Sequence, residues 1–196
     1  MSLDKINRYK ILLASNSPRR KDLLSKAGIK TTVITGNKVD ESIPAEIQTK
    51  EIAQYLAKKK NSAYQNLHKK NTVLITADTV VIKENQVLNK PKNKEEARRM
   101  LHNLSGSEHE VHSGVCISTK TRELVFSEIS TVFFDKLSET EIEYYIENYK
   151  PFDKAGAYGI QEWIGHIGIV KIEGSYDNIV GLPTRAVYRN LIELCR

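Results

Sequence analysis

A lone carboxylate inside an apolar run is the first place where this chain could do chemistry. Thr76-Ala77-Asp78-Thr79 lies between Val73-Leu74-Ile75 and Val80-Val81-Ile82. A charge in such a setting must be solvated, paired or bound to a metal. In phosphate chemistry a divalent ion such as Mg2+ or Mn2+ takes one or two carboxylates plus substrate oxygens. Asp78 could hold such an ion or act as a base toward water; a hairpin turn would explain it without chemistry. Glu41, in Val39-Asp40-Glu41-Ser42, is the candidate second carboxylate, with a plain loop acid as the alternative.

The next cluster is Ser15-Asn16-Ser17-Pro18-Arg19-Arg20, followed by Lys21. The N–H groups at a helix start attract anions, and the helix dipole disfavours cations there. Three basic residues in a first turn fit a polyanion held by guanidinium forks. Arginines paired with carboxylates elsewhere are the other reading. The P-loop pattern is absent. Lys90, before Pro91, and Lys154, in the glycine-bearing run 153–159, could each offer a point charge to a polyphosphate or be solvated surface. Gln161 carries a donor and an acceptor and could read a base edge. His109 and His112 are three apart in an alternating run, so they leave on opposite faces and suit no shared metal.

These residues need elements to position them. Residues 9–14 read as a buried strand, and Ser17-Pro18 as N-cap and first turn of a helix closed by Gly28. Residues 31–35 are β-branched and read as a strand. Residues 49–66 read as one long helix with Ile52, Leu56, Ala63 and Leu67 near one stripe. The segment around Asp78 reads as one strand or two. Asn93 with Glu96, and Ser138 with Glu141, form capping boxes that start helices ending near Leu104 and Asn148. Residues 109–118 and 124–134 read as strands, and 158–172 as β-rich with several glycines. Pro183 opens a helix reaching about Leu194. Strands and helices mix without strict alternation, so the expected class is α/β (mixed α+β), a twisted mixed sheet flanked by helices.

At 196 residues the chain can bury a core without disulfides. Its two cysteines, Cys116 and Cys195, have no metal or redox spacing, which fits a reducing, cytoplasmic setting. No stretch approaches the roughly 20 apolar residues of a membrane span, and residues 1–10 are polar, unlike a signal peptide. The net charge of +6 and pI near 9.2 suit polyanionic partners. The lysines at 58–60, at 69–70 and between 83 and 94 read mostly as solvated faces.

Read in order, the motifs resemble the Maf family. They are Leu13-Ala14-Ser15-Asn16-Ser17-Pro18-Arg19-Arg20, Ala77-Asp78-Thr79-Val80-Val81, Asp153-Lys154-Ala155-Gly156-Ala157-Tyr158-Gly159-Ile160-Gln161, and Gly174-Ser175-Tyr176 through to Gly181-Leu182-Pro183. Val39-Asp40-Glu41 and Leu104-Ser105-Gly106 with His109 and Val111 fit between them. The resemblance runs from about Ile11 to the end.

It implies a cytoplasmic, homodimeric, metal-dependent nucleoside triphosphate pyrophosphatase, with a fold related to the inosine triphosphate pyrophosphatases. It implies a single domain over residues 1–196, with room for two lobes and a substrate cleft between them. Asp78 matches the family's catalytic acid, as proton acceptor or metal ligand. With Glu41 it would hold Mg2+ or Mn2+. Ser15, Arg19, Arg20, Lys60, Lys90 and Lys154 match substrate-lining positions expected to bind phosphate. Arg19, Thr79 and Gln161 match the positions tied to base choice and resemble the dTTP/UTP branch. Departures are Asn89 and Lys150-Pro151, and Glu162-Trp163, where a glycine usually follows the glutamine. Other non-standard nucleotides are the alternative substrates. A basic nucleic-acid-binding module is the rival of another class, but it leaves Asp78 and Glu41 without a task. No nucleic-acid or membrane partner is expected.

Overall fold

Short apolar runs become the strands of one sheet. The computed structural model describes residues 2–37 and 39–195. Strands β1 (Lys10–Ala14), β2 (Thr31–Ile34), β3 (Thr72–Lys83), β4 (Gln86–Leu88), β5 (Glu108–Ser118), β6 (Glu123–Phe134) and β7 (Ile169–Glu173) form a sheet of order β2-β1-β3-β5-β6-β7, with β4 on β3. The pairs β1/β2 and β1/β3 are parallel, and β3/β4 and β6/β7 antiparallel. Helices are α1 (Ser2–Ile6), α2 (Pro18–Lys26), α3 (Ile52–Ser62), α4 (Lys94–Leu104), α5 (Glu139–Tyr149), α6 (Trp163–Gly168), α7 (Tyr176–Val180) and α8 (Thr184–Leu194). The mixed α/β class expected from the sequence is what is found.

The chain divides into two compact units. The first comprises Met1–Asp78, Ser113–Glu128 and Gly181–Arg196. Its core includes Leu13, Leu24, Leu74, Ile75 and Ile117, all fully buried. Helix α1 packs on α8 there, and α2 on β2. The second comprises Thr79–His112 and Ile129–Val180, with α4 on α5 and a core that includes Leu101, Leu104, Ile142, Tyr145 and Ile146.

Local signals hold well. Asn93 accepts from the Glu96 N–H at 2.9 Å, although the Glu96 carboxylate turns to the Lys92 N–H rather than closing a full box. Ser138 and Glu141 close theirs in both directions. The segment around Asp78 is one continuous strand, not a hairpin.

Two expectations need correction. Residues 49–66 are not one helix: 3-10 turns at Thr49–Glu51 and Gln65–Leu67 flank α3, and Ala63, just past its end, is exposed. Residues 158–172 are not mainly β. A 3-10 turn at Ala155–Ala157 and helix α6 precede β7, which starts only at Ile169. The glycines there serve close packing. A Cβ on Gly165 would stand 2.0 Å from the Ile160 carbonyl oxygen, so α6 can fold back onto Ile160 only with glycine at that position.

Candidate active site

Six of the sequence-predicted residues belong to the first unit: Ser15, Arg19, Arg20, Glu41, Lys60 and Asp78. Their frame is the parallel pair β1/β3, in which Leu13 is in register with Ile75. Two residues further on, Ser15 and Ala77 therefore come level, just beyond the carboxyl end of β1. That end of a parallel pair is where α/β sheets bind ligands. Arg20 ties the two chains together. Its Nη1 donates to the Ala77 carbonyl at 2.8 Å and to Ser15 Oγ at 3.3 Å, and its Nε donates to the Gly181 carbonyl at 2.8 Å. Ser15 Oγ also accepts from the Ser17 N–H at 3.2 Å, and Ser17 makes no side-chain cap to α2. Burial pushes the Arg20 pKa down and Arg19 adds to this, while Asp78 and Glu41 oppose it. An arginine so placed stays charged.

Strand alternation aims Asp78. Thr76 and Asp78 lie on the same side of β3, and both meet α3. Thr76 Oγ1 donates to the Ala57 carbonyl at 2.7 Å, and Asp78, two residues on, meets Lys60, one helical turn on. Two strand residues and one helical turn span similar lengths, about 5–7 Å. The Lys60 ammonium donates to Asp78 Oδ1 and lies 2.8 Å from Glu41 Oε1. The Lys60 and Asp78 side chains are only 19% and 14% exposed, against 60% for Glu41. Glu41 is thus brought to Asp78 through a shared cation.

A neighbouring clamp was not anticipated. Lys59, also on α3, pairs with Asp40 at 3.1 Å and donates to the Ser42 carbonyl at 3.0 Å. Asp40 accepts from the Ser42 hydroxyl and N–H, and these bonds, with Lys59, hold its carboxyl down at about 2. The residues on both sides of Glu41 are therefore fixed to α3. The reading of the 58–60 lysines as solvated surface fails at 59 and 60, which are half-buried and paired; Lys58 is exposed and pairs with Glu123.

Thr79, Lys90, Lys154 and Gln161 belong to the second unit. Thr79 is half-buried, and Lys90 and Gln161 are exposed. The Gly156 N–H donates to the Asn89 carbonyl at 3.3 Å, which links the Lys90 loop to the turn after Lys154. Lys154 is buried, with its ammonium 2.7 Å from Asp153 and 3.0 Å from Glu162. Glu162 also accepts from the Tyr145 hydroxyl. Tyr145 gave no sequence signal, since a buried aromatic on a helix reads simply as core. Glu162 was visible only as a departure from the Maf pattern.

His109 and His112 go separate ways. His109 Nε2 is 2.8 Å from the Tyr158 hydroxyl, and His112 Nε2 is 2.7 Å from Glu110. Cys116 and Cys195 are free and buried, and burial pushes the Cys116 thiol up to about 12, so it is inert as a nucleophile. No described helix is long and apolar enough to cross a membrane.

The family model described as Maf-like protein matches residues 10–194. The dTTP/UTP pyrophosphatase of Bacteroides thetaiotaomicron is 48% identical over 192 residues, covering 98% of this chain and 100% of the relative. A relative of the same name from Parabacteroides distasonis is 49% identical over 189 residues, covering 96% of this chain and 98% of its own. Among solved structures, the Staphylococcus aureus Ham1 protein covers 64% of this chain and 71% of that one, at 16% identity and a TM-score of 0.44.

Proposed function

The chain belongs to the Maf-like protein family, and we propose that it is a nucleoside triphosphate pyrophosphatase that hydrolyses dTTP and UTP to the monophosphate and pyrophosphate. The observation that carries this reading is the convergence of Glu41 and Asp78 on Lys60, beside an arginine braced on the Ala77 carbonyl. It brings paired carboxylates and fixed cations to one place, as cleavage of a polyphosphate requires.

The carboxylates fit a divalent cation. Both are hard oxygen donors suited to Mg2+ or Mn2+, and the Lys60 ammonium between them already stands where a cation is welcome. Asp78 and Glu41 would hold the ion, which when bound supplies Lewis-acid polarisation of phosphate oxygens. The chain's own groups do the rest. Asp78 accepts the proton of a water attacking the α-phosphorus, and pyrophosphate leaves. Ser15, Arg19, Arg20, Lys60, Lys90 and Lys154 bind the phosphates and offset their charge. Lys60 exchanges a carboxylate for phosphate oxygen, which its flexible stem permits. Arg19, Thr79 and Gln161 select the base. The proposal includes a homodimer in the cytoplasm; the two free cysteines support a reducing compartment.

The test is a panel of dTTP, UTP, dCTP and dGTP with Mg2+ or Mn2+. Pyrophosphate, not single phosphate, should appear, and fastest from dTTP and UTP. Stepwise phosphate release would overturn the reading.

A further inference from the structure

Glu162 stands immediately after Gln161, at the N-cap of α6, yet its side chain does not cap that helix. Both carboxylate oxygens are turned back instead. Oε1 lies 3.0 Å from Lys154 Nζ, and Oε2 accepts from the Tyr145 hydroxyl. That hydroxyl oxygen in turn accepts from the Gly159 N–H at 2.9 Å. The Glu162 N–H donates to the Gly159 carbonyl at 3.0 Å. Residues 159–162 therefore form a turn closed twice, once by its backbone and once through Tyr145. Gln161 is carried inside it. The Glu162 and Lys154 side chains close over Gly159: a Cβ there would stand 2.9 Å from Glu162 Cδ and 3.0 Å from Lys154 Cε. Tyr145 is fully buried, so the relay is anchored in the core of the second unit.

We propose that Glu162 is a positioning residue for base discrimination: with Tyr145 it locks the turn that presents Gln161. This rests on Gln161 reading the base, as given under the proposed function. The physical need is specific. Thymine and uracil offer an N–H donor beside a carbonyl acceptor on their pairing edge, and cytosine reverses the two. A side-chain amide carries both donor and acceptor and satisfies either edge by turning over. It separates the two bases only if its approach is fixed. A doubly closed turn fixes the backbone from which Gln161 projects, whereas a loose one would let the amide serve both bases.

The experiment compares kcat/KM for dTTP and dCTP in the unsubstituted protein, Glu162→Ala, Tyr145→Phe, the double variant and Glu162→Gln. The unsubstituted protein should favour dTTP. Each single variant should lower the dTTP-to-dCTP ratio by about tenfold, and Tyr145→Phe, which leaves the Lys154–Glu162 pair intact, should hold kcat for dTTP within about threefold. The double variant should fall no further than the larger single change, because both cut one relay. Glu162→Gln keeps an acceptor for Tyr145 and should retain the ratio within about twofold. Tyr145→Phe preserves shape, so it decides the matter even if Glu162→Ala fails to fold. Equal use of dTTP and dCTP by the unsubstituted protein, an unchanged ratio in Tyr145→Phe, or losses that multiply in the double variant would each overturn the inference. An unsubstituted protein that releases no pyrophosphate from either nucleotide would instead overturn the functional reading beneath it.

Discussion

Lys60, on the last turn of α3, is ion-paired with Asp78, in the middle of β3, and the same ammonium reaches Glu41. Asp78 is nearly enclosed, so its carboxylate is aimed rather than mobile. Asp78→Asn keeps its size and removes its charge. Turnover should fall by ~10^2- to 10^4-fold, the range of a lost general base. Circular dichroism should remain that of the parent. A variant with near-normal pyrophosphate release would remove Asp78 from the chemistry.

Arg20 holds two carbonyls, Ala77 and Gly181, that a lysine cannot hold together. Arg20→Lys should raise KM for dTTP by about tenfold, roughly the worth of one charge-assisted bond. It should also lower stability by about 1–3 kcal/mol, because a buried acceptor is left without its donor. Steady-state kinetics and thermal melts check both. An unchanged KM with a lowered melting point would leave Arg20 a purely structural role.

The seat of α3 is equally exacting. In β5, Gly114 meets the backbone of α3 so closely that a Cβ would stand 2.2 Å from the Ala53 carbonyl oxygen and 2.3 Å from the Gln54 nitrogen. Backbone cannot swing aside as a side chain can. Gly114→Ala should displace the helix that carries Lys59 and Lys60, destabilising the protein by about 3 kcal/mol. Denaturant unfolding measures this. A change below about 0.5 kcal/mol would contradict the packing described.

His109 predicts a pH effect on stability. Burial first, and Lys83 second, push its pKa from 6.5 down to about 4. As pH falls below 6.5 the unfolded chain takes up the proton before the folded one does. Stability is therefore full at neutral pH and is lost as pH falls from about 6.5 to about 4, on the order of a few kcal/mol. His109→Gln should flatten that part of the curve. An identical pH slope in the variant would show that His109 is not its source.

What could be read from the chain alone follows from how local each signal is. The Ser138–Glu141 box is complete within four residues, and both bonds form. The basic start of α2 could be read as an anion site, but not that Arg20 would turn to the Ala77 carbonyl, 57 residues away. That contact depends on the register of β1 with β3. The Lys60–Asp78 pair likewise needs α3 seated on β3. Strand β4 was missed because its two-residue turn uses Glu84 and Asn85, both at positive φ, where glycine is the usual signal. Glycines misled in the other direction at 158–172, where they permit close packing of α6 rather than strand turns.

Water that attacks the α-phosphorus leaves its oxygen on the monophosphate, so the fate of that oxygen reports the point of attack. Hydrolysis of dTTP in water enriched in oxygen-18, followed by mass spectrometry of both products, separates the possibilities. Attack at the α-phosphorus puts the label in thymidine monophosphate and leaves pyrophosphate unlabelled. Label in pyrophosphate, or in single phosphate released from the γ position, would contradict it.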